Sequence, residues 1–186
     1  MSEANTCKQP KFPLPLNDPG LILVGRIVLM WSQVEHFLDE IIALTYRVST
    51  PNMRLLVGER LTGGRVQVLK ANTDMIQNVE ARKEAKLLCS NLSDIRTDRN
   101  HIMHGMWGWY NPDHDKYEAA ALSHKRAEPF FHHKLVEHHD SIAEETHRAV
   151  KIFTLMTGLP VSQWPNFFFG PSLPERQQIP AKDNHS

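Results

Sequence analysis

The chain predicts an all-α fold, an up-and-down bundle of four to five helices with a small β-hairpin inserted after the central helix. Three observations lead there. Apolar residues recur at helical spacing along three long stretches that begin near Pro19, Val79 and Asp140. Helix breakers fall between and after them, at Ser49-Thr-Pro51, Thr62-Gly-Gly64, Gly105 and Gly158-Leu-Pro160. Period-two alternation is confined to a short stretch after Gly105, around Trp107 and Trp109.

The first 18 residues hold Pro10, Pro13 and Pro15 among polar residues and read as an extended arm. Asp18-Pro19 is a helix-start signal, so the helical domain runs over 19–158. Its first helix spans about Pro19 to Val48, with Leu21, Val24, Val28, Trp31, Leu38, Ile42 and Thr45 as the packing stripe. A short helix over Met53 to Leu61 follows, and Thr62-Gly-Gly64 is expected to stop it. A further helical stretch over Arg65 to Asn78 bends before the central helix, Val79 to Met103. Residues 106–123 read as a hairpin around the turn Asn111-Pro-Asp-His-Asp115, and Pro129-Phe-Phe131 as a connector. A last helix starts at Asp140 or Ser141. The tail, 159–186, is rich in proline, and its apolar cluster Trp164-Pro-Asn-Phe-Phe-Phe169 is expected to pack on the domain or on a second subunit.

With 186 residues, one domain with a sizeable core is the natural reading. Twenty-one basic residues balance twenty-one acidic ones, which argues against a strongly electropositive nucleic-acid wrapper while leaving room for a local basic site. Cys7 and Cys89 form neither a disulfide framework nor a metal spacing. No signal-peptide core and no uninterrupted apolar run of spanning length is present, so the expectation is a cytoplasmic protein with no membrane association.

The chemistry concentrates in Ile95-Arg-Thr-Asp-Arg-Asn-His-Ile-Met-His104. At 100° per residue, Leu88, Leu92, Ile95, Ile102 and Met103 make one stripe, and Arg99 falls inside it. A guanidinium on a packing face needs a partner. Glu35 lies within about 20–40° of Val28, Trp31 and Ile42 in the first helix, so a facing Arg99–Glu35 pair is the economical expectation. The competing reading has Glu35 at a helix crossing, reaching water. Phosphodiester cleavage without a metal needs an acid or base titrating near neutrality, which histidine supplies, and a cationic fork for the non-bridging oxygens, which arginine supplies. Arg99 and His104 stand about 140° apart on the helix, so they would straddle a groove. Asn100, one turn before His104, can orient the imidazole or meet phosphate, and Arg96 can add charge. The structural alternative is an Arg99–Glu35 pair that only ties helices together, with His104 favouring the helix dipole.

Arg99-Asn-His-Ile-Met-His104, at the end of a long helix, resembles the Arg-x4–6-His signature of the HEPN superfamily, and the first helix with Gly25, Trp31 and Glu35 is similar to that family's first helix. The resemblance covers about residues 19–158. It implies a homodimer in which both Arg-x4-His elements meet in one cleft, and a metal-independent endoribonuclease that uses the ribose 2′-hydroxyl as nucleophile and leaves a cyclic phosphate. Arg99 would then clamp phosphate, His104 act as base or acid, Asn100 support them and Glu35 orient Arg99. No cofactor is implied. RNA is the expected substrate, and an antitoxin or other protein the expected partner, as in the family's toxin–antitoxin members. Other members are non-catalytic dimeric scaffolds or partner-binding proteins.

Trp107 follows His104 closely and is a candidate for stacking a base. Alternation puts Trp107 and Trp109 on one hairpin face, so at least one of them should be core. His132, His133, His138 and His139 do not form a metal site on regular backbone, because adjacent side chains diverge. Gly63-Gly64 lacks the context of a phosphate loop and reads as a breaker, His114 as a solvent-facing turn residue, and Cys89 as core.

Overall fold

The computed structural model describes residues 16–58, 61–110, 118–122 and 130–159. The expectations for the N-terminal arm, the hairpin turn with His114, and the aromatic tail beyond Leu159 lie outside these residues. Among those described, five α-helices and a small antiparallel sheet follow in the order α1 (Asp18–Tyr46), α2 (Thr50–Val57), α3 (Thr62–Asn72), α4 (Val79–His104), β1 (Met106–Tyr110), β2 (Glu118–Leu122), β3 (Phe130–Phe131) and α5 (Leu135–Thr157).

Asn17 caps α1 through its side-chain oxygen, which accepts from the Gly20 N–H at 3.0 Å, one residue before the cap expected. The second half of α1 fills the core with Trp31, Val34, Phe37, Leu38, Ile41 and Ile42. In its first half the expected stripe is rotated, with Ile27 fully buried and Leu21 42% exposed. That half is apolar nearly all round, so periodicity has no polar face to orient by. The same composition gives α1 a mean hydropathy of 1.4 over its most apolar 18-residue window, enough by length and composition to cross a membrane, which a search for uninterrupted apolar runs overlooks. α1 packs against α5, α2 and α3, and α4 against α5 and α3.

The buried carboxylate of α1 with cationic partners is Asp39. Arg54 of α2 and Arg65 of α3 each reach it at 3.1 Å, which draws both short helices onto α1. Thr62-Gly-Gly64 opens α3 instead of stopping α2, because the uncrowded glycine backbone fits a first turn pressed against α4. A 3-10 turn at Thr73–Met75 then separates α3 from α4, and the Asn78 side chain caps α4 by accepting from the Ala81 N–H at 3.0 Å. The bend expected near Asn78 is there.

α5 begins five residues before Asp140, after a 3-10 turn at His132–Lys134, and ends at Gly158, the stop expected, in a left-handed cap with φ 71°. It is clamped to α4 by ion pairs of Arg148 with Glu84 and of Lys151 with Glu80 and Glu84, while Glu144 and Glu145 of α5 itself also pair with Arg148. These hydrogen bonds, from Lys151 above all, hold the Glu84 carboxyl below the usual carboxylate range.

The hairpin pairs as expected, with Trp107 opposite Ala121 and Trp109 opposite Ala119. Phe130–Phe131, read as a connector, is a third strand paired to β2. Two residues are too few for alternation to register.

Candidate active site at the end of α4

α4 ends where the sheet meets it. The Gly105 N–H closes the helix on the His101 carbonyl at 2.8 Å. Gly105 has φ −72°, an ordinary value, so the glycine serves close approach and not handedness. A Cβ there would strike the His101 carbonyl and sit 3.0 Å from the Ala121 Cβ of β2.

Arg99 is half-buried, and its guanidinium lies 5.4 Å from the centre of the Trp31 ring, which is itself 1% exposed. The ring face attracts the cation, more strongly where water is excluded. The Trp31 indole N–H donates to Glu35 Oε1 at 3.1 Å, and the Thr62 hydroxyl donates to the same oxygen. The expected Arg99–Glu35 ion pair is therefore corrected: among the described contacts none forms, and Glu35 instead accepts from the indole on whose face Arg99 lies. The reason lies in the register of α1. Trp31 and Glu35 are one turn apart, so the indole can accept the guanidinium on its face while its edge is tied to the carboxylate.

Of Arg99's remaining donors, Nη1 reaches Asn100 Oδ1 at 3.1 Å, while Nε is buried with no hydrogen-bond partner. Asn100 and His104 are exposed, and His104 is the last residue of α4. The Arg96 guanidinium, half-buried, rests on Gly63 at the start of α3. The last two turns of α4 thus carry an anchored cation with its amide partner and a solvent-reaching imidazole, and among the described residues no contact links His104 to the other two.

Trp107, expected to stack a base, stands at the start of β1, directly after the end of α4. It is half-buried against the core, and its indole N–H donates to the Ile102 carbonyl at 3.0 Å, satisfying an acceptor at the helix end. Trp109 is the exposed indole of the pair, at 55%. Sequence reasoning missed His101, which is 3% exposed and faces Phe130 at 6.4 Å between ring centres. It lies off the apolar stripe, and the strand that buries it was not anticipated.

The second histidine group scatters. His133 stacks on Phe131, His139 meets Asp140 at 2.9 Å, and His138 is buried edge-on to Phe130. Burial pushes the His138 pKa down to about 4, against the pull of Asp98. Among the described residues no three His, Cys, Asp or Glu side chains are grouped to hold a metal ion. Cys89 is fully buried, and burial pushes its thiol up to about 11, the state of a core residue and not a nucleophile. A cleft of about 260 Å³ between α4 and α5 has Asp94, Asp98 and Glu137 around it and Lys134 as its cation, the wrong balance for phosphate. Arg96 and Arg99 do not line this cleft. Comparison of the chain with protein-family models, with curated proteins and with solved structures finds no match.

Proposed function

We propose that the protein is a metal-independent endoribonuclease of the HEPN-like type, an up-and-down helical bundle acting in the cytoplasm as a homodimer. One observation carries this reading: Arg99 is held over the face of Trp31, five positions before an exposed His104. A guanidinium fixed by an indole face keeps N–H donors for the non-bridging oxygens of a phosphodiester and loses little side-chain freedom on binding. Neutral His104 takes the proton of the ribose 2′-hydroxyl as that oxygen attacks phosphorus. The P–O2′ bond forms and the P–O5′ bond breaks. A protonated imidazole, His104 of the second subunit in the cleft, returns a proton to the departing 5′-oxygen. The products are a 2′,3′-cyclic phosphate and a free 5′-hydroxyl.

Asn100 supports the site by holding Nη1 of Arg99. No cofactor enters this chemistry. The dimer is supported by apolar side chains that α1 leaves in solvent, Ile22 at 55% and Leu29 at 68% exposed, beside Gly25, which has open space before it. In a toxin–antitoxin setting the protein partner would be one that covers the cleft.

The test is incubation of mixed RNA with the purified full chain in chelator, beside Arg99→Ala and His104→Ala. Cleavage by the wild type alone is expected. Intact RNA with all three leaves the scaffold reading, in which Arg99 on Trp31 only ties α4 to α1. Equal cleavage by all three places the activity elsewhere.

A further inference from the structure

His138 is 6% exposed, and its Nε2 is buried with no hydrogen-bond partner. A buried polar atom left unpaired costs free energy and calls for a partner. His138 stands in the wall of the cleft of about 260 Å³ between α4 and α5. The same cleft gathers Asp94 and Asp98, one turn apart on α4, and Glu137 of α5, with Lys134 as its cation. Asp94 and Glu137 are exposed, and among the described residues their carboxylates form no ion pair. Three negative charges thus share with one positive charge a groove whose apolar surface comes from Ile95 and Phe130.

Like charges gathered in this way repel one another, and a cation between them turns the repulsion into attraction. Burial pushes the His138 pKa down to about 4, so near neutrality its imidazole adds no charge and can accept a hydrogen bond at Nε2. The kind of cation follows from the spacing. Among the described residues no three His, Cys, Asp or Glu side chains are grouped to hold a metal ion, so the cleft suits a cation whose donors are spread out. An ammonium is compact and strongly hydrated. A guanidinium is planar, weakly hydrated and carries five N–H donors in a fixed fork. One such group can meet carboxylates of both helices and an imidazole acceptor while its faces rest on apolar carbon.

We infer that this cleft is a binding site for a guanidinium group of the arginine type, with Asp94, Asp98 and Glu137 as its charge partners and His138 Nε2 as a further acceptor. The site is separate from Arg96 and Arg99 and does not rest on the ribonuclease reading. The guanidinium can belong to a free small molecule or to an arginine side chain of a polypeptide, and the chemistry in the cleft is the same for both.

The probes are acetyl-arginine amide, acetyl-lysine amide with a free side-chain ammonium, and a capped pentapeptide of one arginine flanked by glycines. Each is titrated into the isotope-labelled full chain and followed by amide NMR. The arginine amide should shift the resonances around Asp94, Asp98, Glu137 and His138, with a Kd of about 1 mM, and the lysine amide should bind about tenfold more weakly. Asp94→Asn and Glu137→Gln, at exposed positions where the fold is not at risk, should each weaken the arginine amide about threefold and together about tenfold. His138→Leu should weaken it as well, with circular dichroism checking the fold. Tighter binding of the pentapeptide assigns the guanidinium to a polypeptide, and equal or weaker binding assigns it to a small molecule. No shift at these residues with about 50 mM arginine amide overturns the inference. So do affinity left unchanged by the double carboxylate variant, equal affinity for the lysine amide, or the same shifts produced by magnesium chloride.

Discussion

The seating of Arg99 on Trp31 can be measured as a coupling energy. The perturbation is a double-mutant cycle of Trp31→Leu and Arg99→Met, each removing one side of the contact and keeping an apolar side chain. Trp31 is 1% exposed, so its own replacement costs several kcal/mol through lost packing, up to the ~3–5 kcal/mol of a full truncation. That figure says nothing about the arginine. The cycle cancels it and leaves the pairwise part. A guanidinium 5.4 Å from the ring centre, in a half-buried setting, should contribute about 1–2 kcal/mol. Urea unfolding of the four proteins, analysed with a common slope, resolves a difference of that size. Effects that add to within about 0.3 kcal/mol would refute the seating, and with it the claim that α1 positions the arginine.

Glu35→Gln keeps an acceptor for Trp31 and Thr62, so it should cost less than about 1 kcal/mol, whereas a buried ion pair with Arg99 would cost ~3–5 kcal/mol when broken; chemical denaturation separates the two. His138 has its pKa lowered from 6.5 to about 4 by burial, so between those values the unfolded chain binds a proton that the folded one does not. Stability is then lost on acidification from pH 6.5 towards 4, by up to ~3 kcal/mol, and His138→Leu should flatten the pH–stability curve over that window. An equal slope in the variant contradicts this. Arg47 closes α1 in the left-handed region at φ 56°, and Arg47→Gly should raise stability by about 0.5–1 kcal/mol in thermal unfolding; a loss would show that its side chain matters more than its backbone.

Much of the helical layout was legible because its signals are local. Asn78 and Gly158 mark real ends, and the stripe of Leu88, Leu92 and Ile102 on α4 is buried as its spacing requires. What escaped depended on partners distant in sequence. Gly63-Gly64 looks like a breaker until Arg96, 33 positions after Gly63, is seen to need the space. The stripe around Arg99 said correctly that this cation must meet something on α1. It could not tell a carboxylate from an indole one turn away, because both lie on the same helix face. Phe130–Phe131 became a strand only because β2 offers an edge, and that strand is what buries His101 and His138. The buried Asp39 went unnoticed for the same reason, its two arginines being on other helices.

Product chemistry tests the central claim most directly. RNA digested by the full chain in chelator should carry 2′,3′-cyclic phosphate and 5′-hydroxyl ends, read by phosphorus NMR and by labelling of the new 5′ ends, and these should be absent with His104→Ala. Fragments ending in 3′-hydroxyl and 5′-phosphate, or the same ends formed undiminished by His104→Ala, would contradict a 2′-hydroxyl attack driven from the end of α4.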